Sequence, residues 1–266
     1  MSPASIQAPP DDSGAVPCWP AGDTVTPANR CHDAAWRRAW RRQRRALERF
    51  PHHVQPIVML GDSTVSCWAH ASRGRVPWAR HFADIALNCG VKGDETQHLR
   101  WRLRESEWND IEPRAVVVSC GANHRYRDSA AAGYAAGLRA LVHDLSKRWP
   151  ATPRILLSMP WAELPDRIVS PLFEQFADAT RRIASERVNG HASAALVLRD
   201  WCLPDGRLDE NMVNDDVHPT RSGYSHLVGA LRAAFAEVDV RLAPPRSGWG
   251  ARLTEPLARV RDRLMR

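Results

Sequence analysis

The stretch PIVMLGDSTVSC, residues 56–67, joins an unbroken apolar run to a turn of small polar residues. Pro56 and Gly61 bound the run, and its four residues Ile57 to Leu60 read as a short buried strand. Gly61 lets the chain turn sharply at the strand's C-terminal end. Asp62, Ser63 and Thr64 then invite two readings. They can cap a helix, or the turn can hold a hydroxyl where chemistry reaches it. The rest of the chain decides between them.

Working outward, strand and helix patterns alternate about five times between residues 56 and 240. Helix patterns are expected over 76–86, 94–105, 130–149, 170–188 and 221–238, with Pro150 ending the third. Strand patterns are expected over 87–90, 115–121, 154–160 and 194–200. AVVVSCG (115–121) is apolar throughout, as befits a central strand covered on both faces. This alternation implies an α/β fold, a parallel sheet with helices on both sides. Upstream, DAAWRRAWRRQRRALERF (33–50) places Trp36, Trp40 and Leu47 near one helix face and spreads seven Arg over the remainder.

The ends differ from the middle. Residues 1–30 are rich in Pro, Ala, Ser, Asp and Gly, and are expected to be disordered. An α/β domain is expected over 31–240, and a basic tail over 241–266. That tail carries seven Arg against Glu255 and Asp262, so most of the chain's net charge of +7 sits there. No N-terminal basic stretch precedes an apolar core, and no run approaches the ~18 apolar residues of a membrane span. These features point to the cytoplasm. The six Cys lack any C-x-x-C pair and read as reduced thiols, mostly core.

In an open parallel sheet, ligands sit beyond the carboxyl ends of the strands. GDST follows the first strand, NCGVKGDET the second, CGANHR the third, and WCLPDGRLDENMVNDDVHPT the last. Together they bring a Ser, two Gly turns, an Asn and an Asp-x-x-His to one edge. Acyl transfer needs this set. A serine hydroxyl requires a base, the base requires an acid to orient it, and the tetrahedral intermediate requires N–H donors.

GDS (61–63), GVKGDET (90–96), GAN (121–123) and DDVHP (215–219) resemble, in order, the sequence blocks of the SGNH, or GDSL-type, hydrolase superfamily. Residues 88–124, with W-R-L at 101–103 and I-x-P-x-x-V-V-V at 111–118, are similar to the catalytic subunits of platelet-activating-factor acetylhydrolase type Ib, as is HPTRSGY (218–224). The likeness spans about residues 33–240. It implies a three-layer α/β/α fold around a flavodoxin-like five-stranded parallel sheet. It also implies Ser63 as nucleophile, His218 as base and Asp215 as orienting acid, with an oxyanion hole from the N–H groups of Ser63 and Gly93 and the Asn123 side chain. Asp62 is given a structural role in the turn, and Asp94 and Thr96 are expected to cap the following helix. Two positions depart from the family pattern. His124 stands where Asp commonly follows the Asn, and Asp216 where Gly is common. Asp216 is expected to face solvent, and His124 and His70 to be polar residues without a catalytic role.

The function expected is hydrolysis of short acyl esters, acetyl among them, on a small-molecule, lipid or sugar substrate. An O-acyltransferase on the same triad is the alternative. The mechanism needs no metal or organic cofactor. The resemblance implies a homodimer, for which the Trp36–Trp40 helix is one candidate contact and core packing the competing role. The Arg-rich helices suit an anionic membrane surface, and no nucleic-acid-reading motif is present.

Overall fold

The computed structural model describes residues 24–51, 53–106, 108, 111–127, 130–191 and 193–242. Expectations for residues 1–23 and for the basic tail from 243 onward fall outside these.

Five parallel strands form the centre: β1 (Ile57–Gly61), β2 (Ala86–Gly90), β3 (Ala115–Ser119), β4 (Arg154–Ser158) and β7 (Ala194–Val197). Their order is β2-β1-β3-β4-β7, with β5 (Ala162–Glu163) and β6 (Ile168–Val169) forming a separate small hairpin. Every residue of β1, β3 and β4 is buried, because helices cover both faces. The helices are α1 (Ala34–Arg49), α2 (Ser63–His70), α3 (Ser72–His81), α4 (Thr96–Glu105), α5 (Ala130–Arg148), α6 (Pro171–Ser185) and α7 (Arg221–Glu237). One core layer packs Leu99, Leu103, Tyr134, Leu138 and Phe176 beneath the sheet, and the other packs Trp68, Phe82, Tyr224, Leu227 and Leu231 above it. The three-layer α/β/α expectation holds. Among the described residues no helix is long and apolar enough to cross a membrane.

Several local expectations change. The helix expected over 76–86 is instead Ser72–His81, and the chain turns before Ala86 opens β2. The hairpin β5–β6 was not anticipated, and helix α2 follows from the capping reading of the GDST turn although no helix pattern was assigned to its residues. Residues 24–30, assigned above to a disordered segment, pack against the domain: Thr24 and Ala28 are buried, and Thr24 Oγ1 donates to Gly133 O over 2.7 Å. Trp36 and Trp40 are buried within the chain, packed against Trp101 in tilted and edge-on contacts, so core packing uses both rings. Cys31, Cys67, Cys89 and Cys120 are buried free thiols, and Cys202 is half-buried.

Candidate active site

The two readings of the GDST turn prove compatible. Asp62 is the N-cap of α2, its Oδ1 accepting from Thr64 N at 2.9 Å, and Ser63 is the first helical residue. The turn therefore ends the strand, starts the helix and lifts Ser63 to the sheet edge in one step. Asp62 is fully buried, and burial pushes its carboxyl up to about 6. Tyr224 Oη donates to Thr64 O at 2.8 Å, fastening the turn to α7.

His218 reaches the same edge from the loop after β7. Its Nε2 lies 2.9 Å from Ser63 Oγ and its Nδ1 lies 2.8 Å from Asp215 Oδ2. An ionised carboxylate only accepts, so Nδ1 carries the proton and Nε2 is left to accept from the serine hydroxyl. Burial raises Asp215, but the backbone N–H groups of His218 and Val217 and the His218 ring outweigh it and hold the carboxyl at about 2. Three residues of spacing let one tight turn supply both the acid and its partner.

The loop carrying Asp215 is braced from outside. Arg167, on the β5–β6 hairpin, donates to Asp215 O and Val213 O, each at 2.9 Å. Asp216 does not simply face solvent. Its side chain pairs with Arg125, which lies over the exposed Tyr126 ring at 4.7 Å, and its carbonyl accepts from Ala162 N at 2.8 Å. The third and last sequence blocks are thus tied directly together.

β2 and β3 flank β1, so the turns that follow them border the Ser63 turn. Gly93 has φ +77°, a conformation that favours glycine. Asn123 Nδ2 donates one of its two hydrogens to Asp94 O at 2.9 Å. Ser63, Gly93 and Asn123 thus lie on turns that follow neighbouring strands.

The caps expected at Asp94 and Thr96 are not there. Glu95 is the N-cap of α4, in a reciprocal capping box with His98, whose Nδ1 accepts from Glu95 N at 2.9 Å. Asp94 is committed instead to a fully buried ion pair with Arg102 at 2.7 Å. Thr96 N donates to Nε2 of His124 at 3.1 Å. His124 is completely buried, its pKa pushed down to about 4 by burial, so it is a neutral brace for this turn. His70, by contrast, lies at the far end of α2 from Ser63. Sequence reasoning passed over Arg102, Arg125 and Arg167. Only Arg102 left a signal, since it shares the apolar face of Leu99 and Leu103, where a charge demands a partner.

A small cavity of about 20 Å³ lies under the turn, lined by Asp62, Thr64, Cys120, Gly121, Met159, Trp161, Phe176 and Val217 among others. A roomier cavity of about 430 Å³ lies between α1, α2–α3 and the edge strand β2, on the opposite end of α2. The small one is lined by chain neighbours of Ser63, and neither cavity is lined by Ser63, Gly93, Asn123 or His218 themselves. Among the described residues no group of three or more His, Cys, Asp or Glu side chains could hold a metal ion.

The profile of the GDSL-like lipase/acylhydrolase family matches residues 59–226, which contain every residue of this constellation. The chain belongs to that family. It is 30% identical over 205 residues to platelet-activating factor acetylhydrolase IB subunit alpha1 of Homo sapiens, covering 75% of this chain and 82% of the relative. It is 28% identical over 188 residues to the alpha2 subunit of Rattus norvegicus, covering 68% and 76%. A GDSL-like lipase from Bacteroides thetaiotaomicron shares the fold at a TM-score of 0.60 and 18% identity, covering 75% of this chain and 98% of that one. The family makes this chain an ester-hydrolysing enzyme.

Proposed function

We propose that the chain is a serine esterase that removes short acyl groups, acetyl among them, through an acyl-Ser63 intermediate. The observation that carries this is the continuous hydrogen-bonded line Ser63–His218–Asp215, at 2.9 and 2.8 Å. Ser63 Oγ attacks the ester carbonyl carbon as its proton passes to His218 Nε2. Asp215 holds the ring in place and stabilises the imidazolium. The oxyanion is met by Ser63 N–H, Gly93 N–H and the free N–H of Asn123. The imidazolium then protonates the leaving alkoxide. Water, deprotonated by the same nitrogen, attacks the acyl carbon and releases acid and free Ser63.

The preference for short chains is supported by the relatives, which are platelet-activating factor acetylhydrolase subunits.

The test is hydrolysis of p-nitrophenyl esters from acetate to dodecanoate by wild type and Ser63→Ala. Wild type is expected to favour acetate, and the variant to lose at least about 10³-fold in kcat. Equal rates from the two proteins would overturn the reading. An acyl-enzyme that forms but passes its acyl group only to an added alcohol would move the function to an acyltransferase.

A further inference from the structure

Helix α1 lies outside the family-matched span of 59–226, yet three residues from the N-terminal side grip the turn that carries Gly93. Trp36 Nε1 donates to Asp94 Oδ1 at 2.6 Å. Gln43 Oε1 accepts from Arg102 Nη1. Arg30 Nη1 donates to Lys92 O at 3.1 Å, and its guanidinium covers Gly93 so closely that a Cβ there would fall 2.3 Å from it.

The gripped groups lead straight to the donor site. Arg102 Nε binds Asp94 Oδ2 at 2.7 Å, its Nη1 binds Cys89 O at 2.9 Å, and its Nη2 binds Gly61 O at 3.2 Å. One buried guanidinium therefore spans the ends of β1 and β2 and the Gly93 turn. Asp94 in turn offers its carbonyl to Asn123 at 2.9 Å. We propose that α1, through Trp36 and Gln43, is a positioning element for the oxyanion site: it fixes the buried Asp94–Arg102 pair, and that pair sets where Gly93 and Asn123 aim their N–H groups.

The physical reason is the cost of leaving buried charge unsatisfied. Asp94 and Arg102 side chains are both fully buried, so each polar atom needs a partner from protein. Taking Trp36 N–H away leaves Asp94 Oδ1 short of a donor, and the carboxylate must shift to find one. Any such shift moves the carbonyl that orients Asn123. Catalytic donors aimed at developing charge lose effect steeply with small displacements.

Trp36 and Trp40 provide a matched pair of variants. Both rings are buried side by side, 5.9 Å apart, but Trp40 Nε1 has no hydrogen-bond partner among the described residues. Trp36→Phe and Trp40→Phe thus make similar changes in packing, and only the first removes a bond to Asp94. The proposal rests on the esterase reading above. On p-nitrophenyl acetate, Trp36→Phe is expected to lower kcat roughly 10- to 100-fold with KM within about twofold of wild type. Trp40→Phe is expected to keep wild-type kcat, whatever its melting temperature. Gln43→Leu is expected to behave like Trp36→Phe, and Gln43→Glu, which keeps an acceptor oxygen for Arg102, to recover most of the loss. Equal kcat losses in the two Trp variants, or none in Trp36→Phe and Gln43→Leu, overturn the proposal while leaving the esterase reading in place. A wild type inactive on every ester would sink the esterase reading, and this proposal with it.

Discussion

Asn123 does two jobs with one amide. One N–H is spent on Asp94 O, and under the proposed mechanism the other meets the oxyanion. Replacing it by Ala removes a charge-facing donor without touching the Ser63–His218–Asp215 line. Asn123→Ala is therefore expected to cut kcat about 10²- to 10³-fold with little change in KM. Steady-state kinetics on acetate esters check this, and an unchanged kcat would remove Asn123 from the oxyanion site. His124, its neighbour, was expected to have no catalytic role, and complete burial with a pKa pushed down to about 4 leaves it neutral and structural. Asp94 went the other way: its position suggested a cap, and Arg102 and Trp36 claim it instead.

At the scale of elements, close approaches position the donor turns. Helix α5 packs across α4 at Gly137, where a Cβ would meet Thr96 Oγ1 at 2.0 Å and the carbonyl of Thr24 at 2.8 Å. Thr96 can rotate, but the Thr24 carbonyl belongs to backbone pinned by Gly133. Gly137→Ala is expected to destabilise by about 1–3 kcal/mol, the usual cost of overpacking. Urea unfolding measures this directly, and a gain in stability would show that the 24–30 segment yields freely. The edge strand β2 is managed by its own side chain. Asn88 Oδ1 accepts from Gly90 N at 3.1 Å, and its Nδ2 donates to Val65 O at 2.6 Å. That occupies part of the backbone that an open edge would expose.

At the scale of the whole molecule, buried carboxylates set how stability follows pH. Asp62 is raised from an ordinary carboxylate value to about 6 by burial. Between pH ~4 and ~6 the native state therefore holds a proton that the unfolded chain has released. Stability from this group is present below that window and falls as pH rises through it. Asn at the same position keeps an N-cap acceptor and cannot ionise. The stability of Asp62→Asn relative to wild type is expected to rise between pH 4 and 6, by at most on the order of 3 kcal/mol for a two-unit shift. Denaturant melts at several pH values check the sign, and a flat difference would mean that Asp62 is not protonated by burial. Trp36 and Trp40 also belong to this scale, both buried in the chain's own core.

The sequence by itself determined the sheet, its parallel sense, and the order of the blocks. Apolar runs such as Ala115–Ser119 and Gly turns after them are local patterns, and local patterns are what a linear reading detects. Ser63, Asp215 and His218 were legible for the same reason, since a tight turn and a three-residue spacing are short-range features. The extent of helix α2 was not legible because its residues STVSCWAH carry little helical periodicity, although the Asp62 cap that starts it was one reading of the turn. Only the tertiary structure decided the partners of Arg102, Arg125 and Arg167. Each answers a burial or charge imposed by an element distant in sequence, Gln43 for Arg102, Asp216 for Arg125 and the Val213–Asp215 carbonyls for Arg167. A buried charge states that it needs a partner, but the choice of partner is fixed only when the fold has brought the candidates together.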